Sequence, residues 1–241
     1  VSAKSRSRTV DAPIGDEIEL PGGGRALFTG RSHGNLSSVG GAEAAGGLSA
    51  RERLRERCGV NVLVRGYQVH GTLIGRVWAD EARGWHDSEA QPSFQADGHA
   101  TAAIGVGAMV LAADCLPVVL GAQGAVAAVH AGWRGLAAGA LEQGVLALRD
   151  VGGTGEIVAV VGPCAGACCY EVGEDVHASL GDEHRSGRLI DLRAIAHDRL
   201  LAAGVAEVRD VDACTICDER FFSYRREGAR AGRQAGVAWL T

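Results

Sequence analysis

Between residues 108 and 129 the chain carries three apolar runs in close succession, at 108–113, 117–120 and 125–129. Each is apolar at consecutive positions instead of alternating, which is the pattern of strands buried on both faces. A further apolar stretch at 157–161 and short ones at 60–64, 205–208 and 237–240 read as strands. Helical spacing appears at 48–57, opening at Ser49 as N-cap, and at 136–149, where Leu136, Ala140, Val145 and Leu148 lie near one face. Residues 172–180 and 191–203 read as helices, the second closed by Gly204. The expected fold is mixed α and β, an α+β arrangement of mixed sheets flanked by helices.

The 241 residues suit one large domain or two small ones. No linker is evident, so residues 21–241 are read as one domain and residues 1–20, polar and basic at the start, as a frayed tail. Gly-rich segments at 22–24 and 40–47 read as turns or loops, and 81–95 as a loop. The start lacks the apolar stretch of an export signal and no run is long enough to span a bilayer, so a cytoplasmic protein without a membrane partner is expected. Seven Cys then read as reduced thiols.

Charge narrows the chemistry. The net charge is −5 with no basic block, which argues against nucleic-acid binding. Lys4 is the only Lys. A Lys Schiff base or a phosphate-cradling Gly-x-x-x-x-Gly-Lys loop is therefore excluded from the body of the chain. The His-Glu-x-x-His, Gly-x-Ser-x-Gly and zinc-deaminase patterns are absent. No His-x-His pair occurs and there are eight His in all, too few for a multicopper electron-transfer mechanism within one chain.

Three segments carry reactive side chains at strand ends, where α/β proteins place their sites. They are Gln68-Val69-His70-Gly71, Ala113-Asp114-Cys115-Leu116-Pro117, with its Pro interrupting the ladder, and Val129-His130-Ala131-Gly132-Trp133-Arg134-Gly135. One Cys and two His can act as a nucleophile with its base, or as Cys-His₂ ligands of Zn²⁺ with a fourth position open. The spacing leaves both readings, and a buried thiol with two hydrogen-bonded imidazoles, open. Asp114, beside Cys115, can orient a ligand or move a proton, or be structural if it turns into the core. Arg134, Arg225 and Arg31 are candidate anion holders, Arg134 at a helix start.

A second set of thiols lies at Cys164, Cys168, Cys169, Cys214 and Cys217. The Cys-x-x-Cys at 214–217 and the Cys-x-x-x-Cys-Cys at 164–169 together suggest a structural zinc site, but the second spacing is looser than a zinc knuckle, and packed small apolar thiols are the preferred reading of the whole set.

Taken together, QVHG at 68–71, ADG at 96–98 with Thr101, ADCLPV at 113–118, AVHAGWRGL at 128–136, GPCAGACCYEVG at 162–173 and FFSYRREG at 221–228 resemble the YfiH-like laccase-domain family over roughly residues 25–241. The resemblance implies a YfiH-like fold, also described as similar to cytotoxic necrotizing factor. It also implies a polar pocket whose two His and one Cys, often found with zinc, match His70, Cys115 and His130. Copper is the alternative metal. The implied activities are phosphorolysis of adenosine, inosine and methylthioadenosine, with adenosine deamination alongside. Polyphenol oxidation and editing of peptidoglycan precursors have also been attached to the group. A nucleoside and phosphate are the implied partners, and the chain is expected as a monomer or homodimer. Near the start the family pattern is shortened to Thr29-Gly30-Arg31-Ser32-His33-Gly34-Asn35, which leaves Arg31 and Asn35 as N-terminal pocket candidates. Tyr224 joins Arg225 as a candidate for substrate or phosphate binding.

Overall fold

The computed structural model describes residues 8–9, 14–38, 44–84, 92 and 94–241. In chain order its strands are β1 (Arg8–Thr9), β2 (Glu17–Glu19), β3 (Gly24–Phe28), β4 (Val62–Val64), β5 (Ile74–Val77), β6 (Gly98–Thr101) and β7 (Val106–Ala112). Then come β8 (Leu116–Gln123), β9 (Ala125–Ala131), β10 (Thr154–Val161), β11 (Arg185–Ser186), β12 (Leu189–Ile190), β13 (Glu207–Asp210) and β14 (Gln234–Leu240). The helices are α1 (Gly47–Cys58), α2 (Trp133–Ala138), α3 (Ala140–Asp150), α4 (Glu174–Leu180), α5 (Leu192–Ala202) and α6 (Tyr224–Glu227).

Two mixed sheets carry the fold, in the orders β1-β13-β10-β8-β9-β6-β5 and β2-β3-β14-β7-β4, with β11 and β12 forming a small hairpin. The consecutive apolar runs explain the stacking. In β8, Leu116, Val118 and Leu120 pack with Leu141, Val145 and Leu148 of α3 and with Ile195 and Leu200 of α5. Val119, one residue out of phase, packs the other way against Phe28, Val110 and Ala238 of the second sheet. The far face of that second sheet, with Leu27, Met109, Val237 and Trp239, is covered by Leu54 and Cys58 of α1. The result is helix, sheet, sheet, helix, with β8 and β9 covered on both sides as their sequence requires.

Local chemistry accounts for the boundaries. Ala50, Leu54 and Cys58, four residues apart, are the apolar buried stripe of α1. That helix starts at Gly47 behind Gly46 without a side-chain cap, so Ser49 is inside the helix and not its N-cap. The single helix expected over 136–149 is broken: Gly139, at φ 95°, ends α2 and begins α3. Asp191 caps α5 by accepting from Ala194 N at 3.0 Å. Pro117 does not interrupt β8 but is its second residue. The β10 ladder reaches only to Val118, so the missing N–H falls at the ladder's end.

The tail expected over 1–20 does not extend that far. Glu17–Glu19 pairs with β3, and Ile18 and Leu20 are buried. Of the loop expected at 81–95, residues 81–84 form a 3₁₀ turn, while 85–91 and 93 lie outside the described residues, as do 39–43 of the Gly-rich stretch. Among the described residues no helix is long and apolar enough to cross a membrane.

Gly144 marks the tightest seat of α3 on the sheet. A Cβ there would meet Val129 Cγ2 at 2.5 Å and Leu120 Cδ1 at 3.3 Å. Ala in place of Gly gains about 1 kcal/mol of helix propensity, but overpacking a filled core costs about 1–3 kcal/mol. Gly144→Ala is expected to lower stability by up to about 2 kcal/mol in urea denaturation, although it improves the helix in isolation.

Candidate active site

The strand register assembles the site. In the antiparallel β8–β9 pair Pro117 faces His130 and Leu116 faces Ala131, so Cys115, just before β8, lies beside the end of β9. Gly98, the first residue of β6, faces Val129, which puts Asp97 at the same edge. His70 arrives from the connection between β4 and β5. That connection is pinned by Gln68, whose side chain donates to Leu111 O at 2.7 Å and accepts from Leu111 N at 2.8 Å, as a strand residue would.

Asp97 organises these pieces. It is fully buried. Its Oδ2 accepts from Val69 N at 3.1 Å and Gly71 N at 2.8 Å, and its Oδ1 from His70 N at 2.9 Å. The same Oδ1 lies 2.8 Å from His130 Nδ1. His130 N also donates to Asp97 O at 2.7 Å. With Nδ1 held by the carboxylate, the Nε2 edge of His130 is the one left for Cys115. His70 and His130 meet edge to face, with ring centroids 5.0 Å apart. One ligand atom from each of His70, Cys115 and His130 lies within 4.8 Å of the other two.

Backbone strain concentrates here. Among the described residues His70 (φ 61°) and Asp114 (φ 90°) are the only non-Gly residues with positive φ. Gly132 supplies space: a Cβ there would meet His70 Cδ2 at 2.5 Å and Cys115 Sγ at 3.0 Å. The donor set, two imidazoles and a thiolate with a carboxylate behind one imidazole, fits Zn²⁺ and its usual outer partner.

The charges are coupled. Burial would push the Cys115 thiol up, but His130 and His70 outweigh it and bring it down to about 6. Burial would lower His130, but the Cys115 charge and Asp97 raise it to about 9. Burial would raise Asp97, but the bonds from His130, Gly71 and Val69 hold it below the ordinary carboxylate value. Without metal, the result is a thiolate facing an imidazolium, with a carboxylate behind.

Tyr170 lies within electrostatic reach of Cys115. Burial raises its phenol, and the charges of Cys115 (upward), Arg225 (downward), Asp114 (upward) and Arg134 (downward) all reach it. Arg225 stacks 4.9 Å from the Tyr170 ring and donates to Glu171 O at 2.7 Å. Arg134 lies exposed 4.3 Å from the Trp133 ring, and among the described residues no carboxylate pairs with it. Tyr224 is exposed, with Arg233 6.0 Å from its ring.

Three expected site residues have other employment. Asp114 accepts from Thr215 Oγ1 at 2.7 Å and from Arg225 N at 2.6 Å, so its carboxylate braces the start of α6, the structural alternative for this residue. Asn35 is buried and accepts from Ser37 N and Arg233 N, both at 2.9 Å, which makes it a loop tie. Arg31 is spent on Glu219 O, Phe221 O and Glu227, at 3.2, 3.0 and 2.5 Å. Gln68, Asp97, Gly132 and Tyr170 belong to the site's surroundings without a signal of their own in the sequence beyond the motifs that contain them.

The family described as multi-copper polyphenol oxidoreductase laccase matches residues 29–241. The chain belongs to this family. Within the laccase-domain family it is similar to a Xylella fastidiosa protein named purine nucleoside phosphorylase, 38% identical over 237 residues, which cover 91% of this chain and 88% of that protein. A Corynebacterium glutamicum protein of the same name is 34% identical over 90% of this chain and 94% of its own length. The crystal structure of a Neisseria meningitidis protein superposes with a TM-score of 0.80 at 31% identity, covering 93% of this chain and 98% of that one. YlmD from Geobacillus stearothermophilus gives a TM-score of 0.79 at 28% identity over 95% of this chain and 99% of its own. The mixed-sheet fold expected from the YfiH-like resemblance is thus the fold found.

Two outcomes test the site's electrostatics and shape. The thiolate is the nucleophile, so alkylation of Cys115 in chelator-treated protein should rise with pH and reach half its plateau near pH 6. Asp97→Asn removes support for the imidazolium and should move that midpoint upward; mass-spectrometric counting of carbamidomethyl Cys115 reads both. Gly132→Ala, which crowds His70 and Cys115, should cut the site's affinity for a divalent metal at least ~10-fold, as loss of support around a site does. Competitive chelator titration measures it.

Proposed function

We propose that this chain is a purine nucleoside phosphorylase acting on adenosine, inosine and methylthioadenosine, with adenosine deaminase activity at the same Cys-His₂ zinc-type pocket. The observation that carries the reading is the convergence of His70, Cys115 and His130 beside Tyr170, with two Arg charges acting on that ring. The relatives' name supplies the reaction class.

Phosphorolysis exchanges the bond from the ribose C1′ to the purine nitrogen for one to phosphate. The sugar becomes oxocarbenium-like as the base departs, so the enzyme must hold an anion on one side and assist the leaving purine on the other. Arg134, exposed and without a carboxylate partner among the described residues, and Arg225, stacked on Tyr170, are suited to the phosphate. In the metal-free pocket His130, kept protonated by Asp97 and Cys115, is suited to donate to the purine, and His70 faces the same space; as ligands of an ion both rings are neutral and give up that role. Asp97 is a positioning residue: it fixes the tautomer and direction of His130 and the turn that carries His70. His70, Cys115 and His130 would hold Zn²⁺, with copper as the alternative, and the bound ion supplies Lewis acidity there. Zinc is favoured because among the described residues no group of metal-type side chains contains more than two His, and the chain has eight in all. A soluble cytoplasmic enzyme handling small molecules is the matching setting.

A second reading rests on one observation. Cys115, His130 and Asp97 stand in the order nucleophile, base and orienter, which also suits a Cys-dependent hydrolase of amides such as peptidoglycan precursors. It requires an acyl-enzyme on Cys115 and no phosphate.

The decisive assay is adenosine and inosine turnover with and without phosphate, followed by chromatography, on wild type and Cys115→Ala. Free base formed only with phosphate and only by wild type is expected, with the variant down by at least ~1000-fold. No conversion by metal-replete wild type overturns the proposal. Retained turnover after chelation would show that the thiolate works without metal.

A further inference from the structure

Among the described residues, Cys168, Cys169, Cys214 and Cys217 form a cluster of reactive side chains that the pocket does not use. Two loops bring them together. The connection after β10 carries Cys168 and Cys169, and the connection after β13 carries Cys214 and Cys217. Parallel pairing of β10 with β13 runs on past the strands into a bridge between Cys164 and Cys214, with Thr215 N donating to Cys164 O at 2.9 Å. Cys164 stays in the core, buried, with its thiol pushed up to about 11 by that burial. The other four converge. The sulfur separations are 3.2 Å for Cys168–Cys169, 3.4 Å for Cys168–Cys217, 3.5 Å for Cys169–Cys214 and 2.8 Å for Cys169–Cys217.

We propose that Cys168, Cys169, Cys214 and Cys217 form a second, structural metal site that takes one Zn²⁺ as a tetrathiolate. All four sulfurs lie within 4.8 Å of one another, and all four Cys are free thiols. Around a tetrahedral ion with Zn–S bonds of about 2.3 Å, sulfurs stand about 3.8 Å apart. The four separations therefore need to open by about 0.3 to 1.0 Å to accept the ion. Packed apolar thiols, the reading preferred from sequence, do not fit: Cys168 and Cys217 are exposed, so burial does not gather them.

The surroundings suit a doubly negative metal–thiolate unit. Gly166 N donates to Cys214 Sγ at 3.2 Å. A Cβ on Gly166 would meet Cys214 Sγ at 3.1 Å and Cys168 Sγ at 3.3 Å, so the backbone is shaped to let sulfur approach. Arg226 donates to Thr215 O at 2.8 Å and Ile216 O at 2.9 Å, which places a cation on the turn between Cys214 and Cys217. Soft thiolates select zinc over the harder divalent ions. The adjacent pair Cys168-Cys169 departs from the usual spacing of two to four intervening residues, and the turn at Gly166, where Cys169 N and Tyr170 N both bond Gly166 O, is what lets neighbours share one centre. The ion would lash together the loop ending in Tyr170 and the loop whose Thr215 holds Asp114.

The test uses full-length protein, reduced and stripped with chelator, and Co²⁺ as the probe. Cys115→Ala silences the first pocket. It is expected to bind one equivalent of Co²⁺ with the intense charge-transfer absorption of a tetrathiolate, and Zn²⁺ should displace it. Adding Cys217→Ser should weaken Co²⁺ binding by more than about 100-fold, beyond what loss of an outer partner costs. Cys168→Ser, with circular dichroism on both, separates loss of a ligand from loss of the fold. The proposal is overturned if Cys115→Ala binds no Co²⁺, if its spectrum survives Cys217→Ser unchanged, or if peptide mapping of protein alkylated without prior reduction finds a disulfide within the quartet. Wild type with a tetrathiolate spectrum and one equivalent in total would instead count against zinc at His70, Cys115 and His130, so the two readings fail separately.

Discussion

A buried carboxylate that is fully answered holds this structure to its function. Asp97 has no solvent contact, and leaving it unpaired would cost several kcal/mol. Three consecutive backbone N–H groups and one imidazole remove that penalty. Each bond to a charged group contributes about 1.5–3 kcal/mol. The gain is enough to hold His70 in the left-handed region that an imidazole-bearing residue otherwise avoids. One side chain thus fixes a loop, an imidazole direction and the polarity of a thiol two strands away.

The layered architecture explains why such a knot can exist. Three neighbouring strands of one sheet, β6, β9 and β8, begin or end at the same edge, and each contributes one polar residue there. Behind that edge the sheet is packed by helices on one face and by the five-stranded sheet on the other. The edge opens toward solvent at His70, while His130 stays covered. The reactive nitrogen and sulfur atoms are thus set on rigid elements, with His70 the one that is exposed to solvent.

What was legible in the sequence was local. The apolar runs in β7, β8 and β9 announced strands covered on both faces, and Gly204 announced the end of α5. His70, Cys115 and His130 stood out because each follows or ends such a run. Asp97 did not, because its partners lie 26 to 33 residues away and most are backbone groups that leave no mark on composition. The role of Asp114 turned on which way one side chain points, and Arg31 and Asn35 were consumed by contacts with residues nearly two hundred positions later. The meeting of Cys168 and Cys169 with Cys214 and Cys217 depends on the parallel pairing of β10 and β13, a long-range event without a local pattern. Gly139 was hidden inside a helical period and broke it through its φ alone.

Two glutamines give the framework a property that its reacting groups lack. Gln68 closes a pair of hydrogen bonds on Leu111, and Gln234 does the same on Phe222, at 2.8 and 3.0 Å. A carboxamide neither gains nor loses a proton in water near neutrality. Across the acidity range in which Cys115 and His130 exchange charge, the segment that carries His70 and the strand that leads to Cys115 are thus tethered to each other by a group that does not respond. The molecule separates what must titrate from what must stay still, so a change of protonation in the pocket alters its chemistry without loosening the scaffold that aims it.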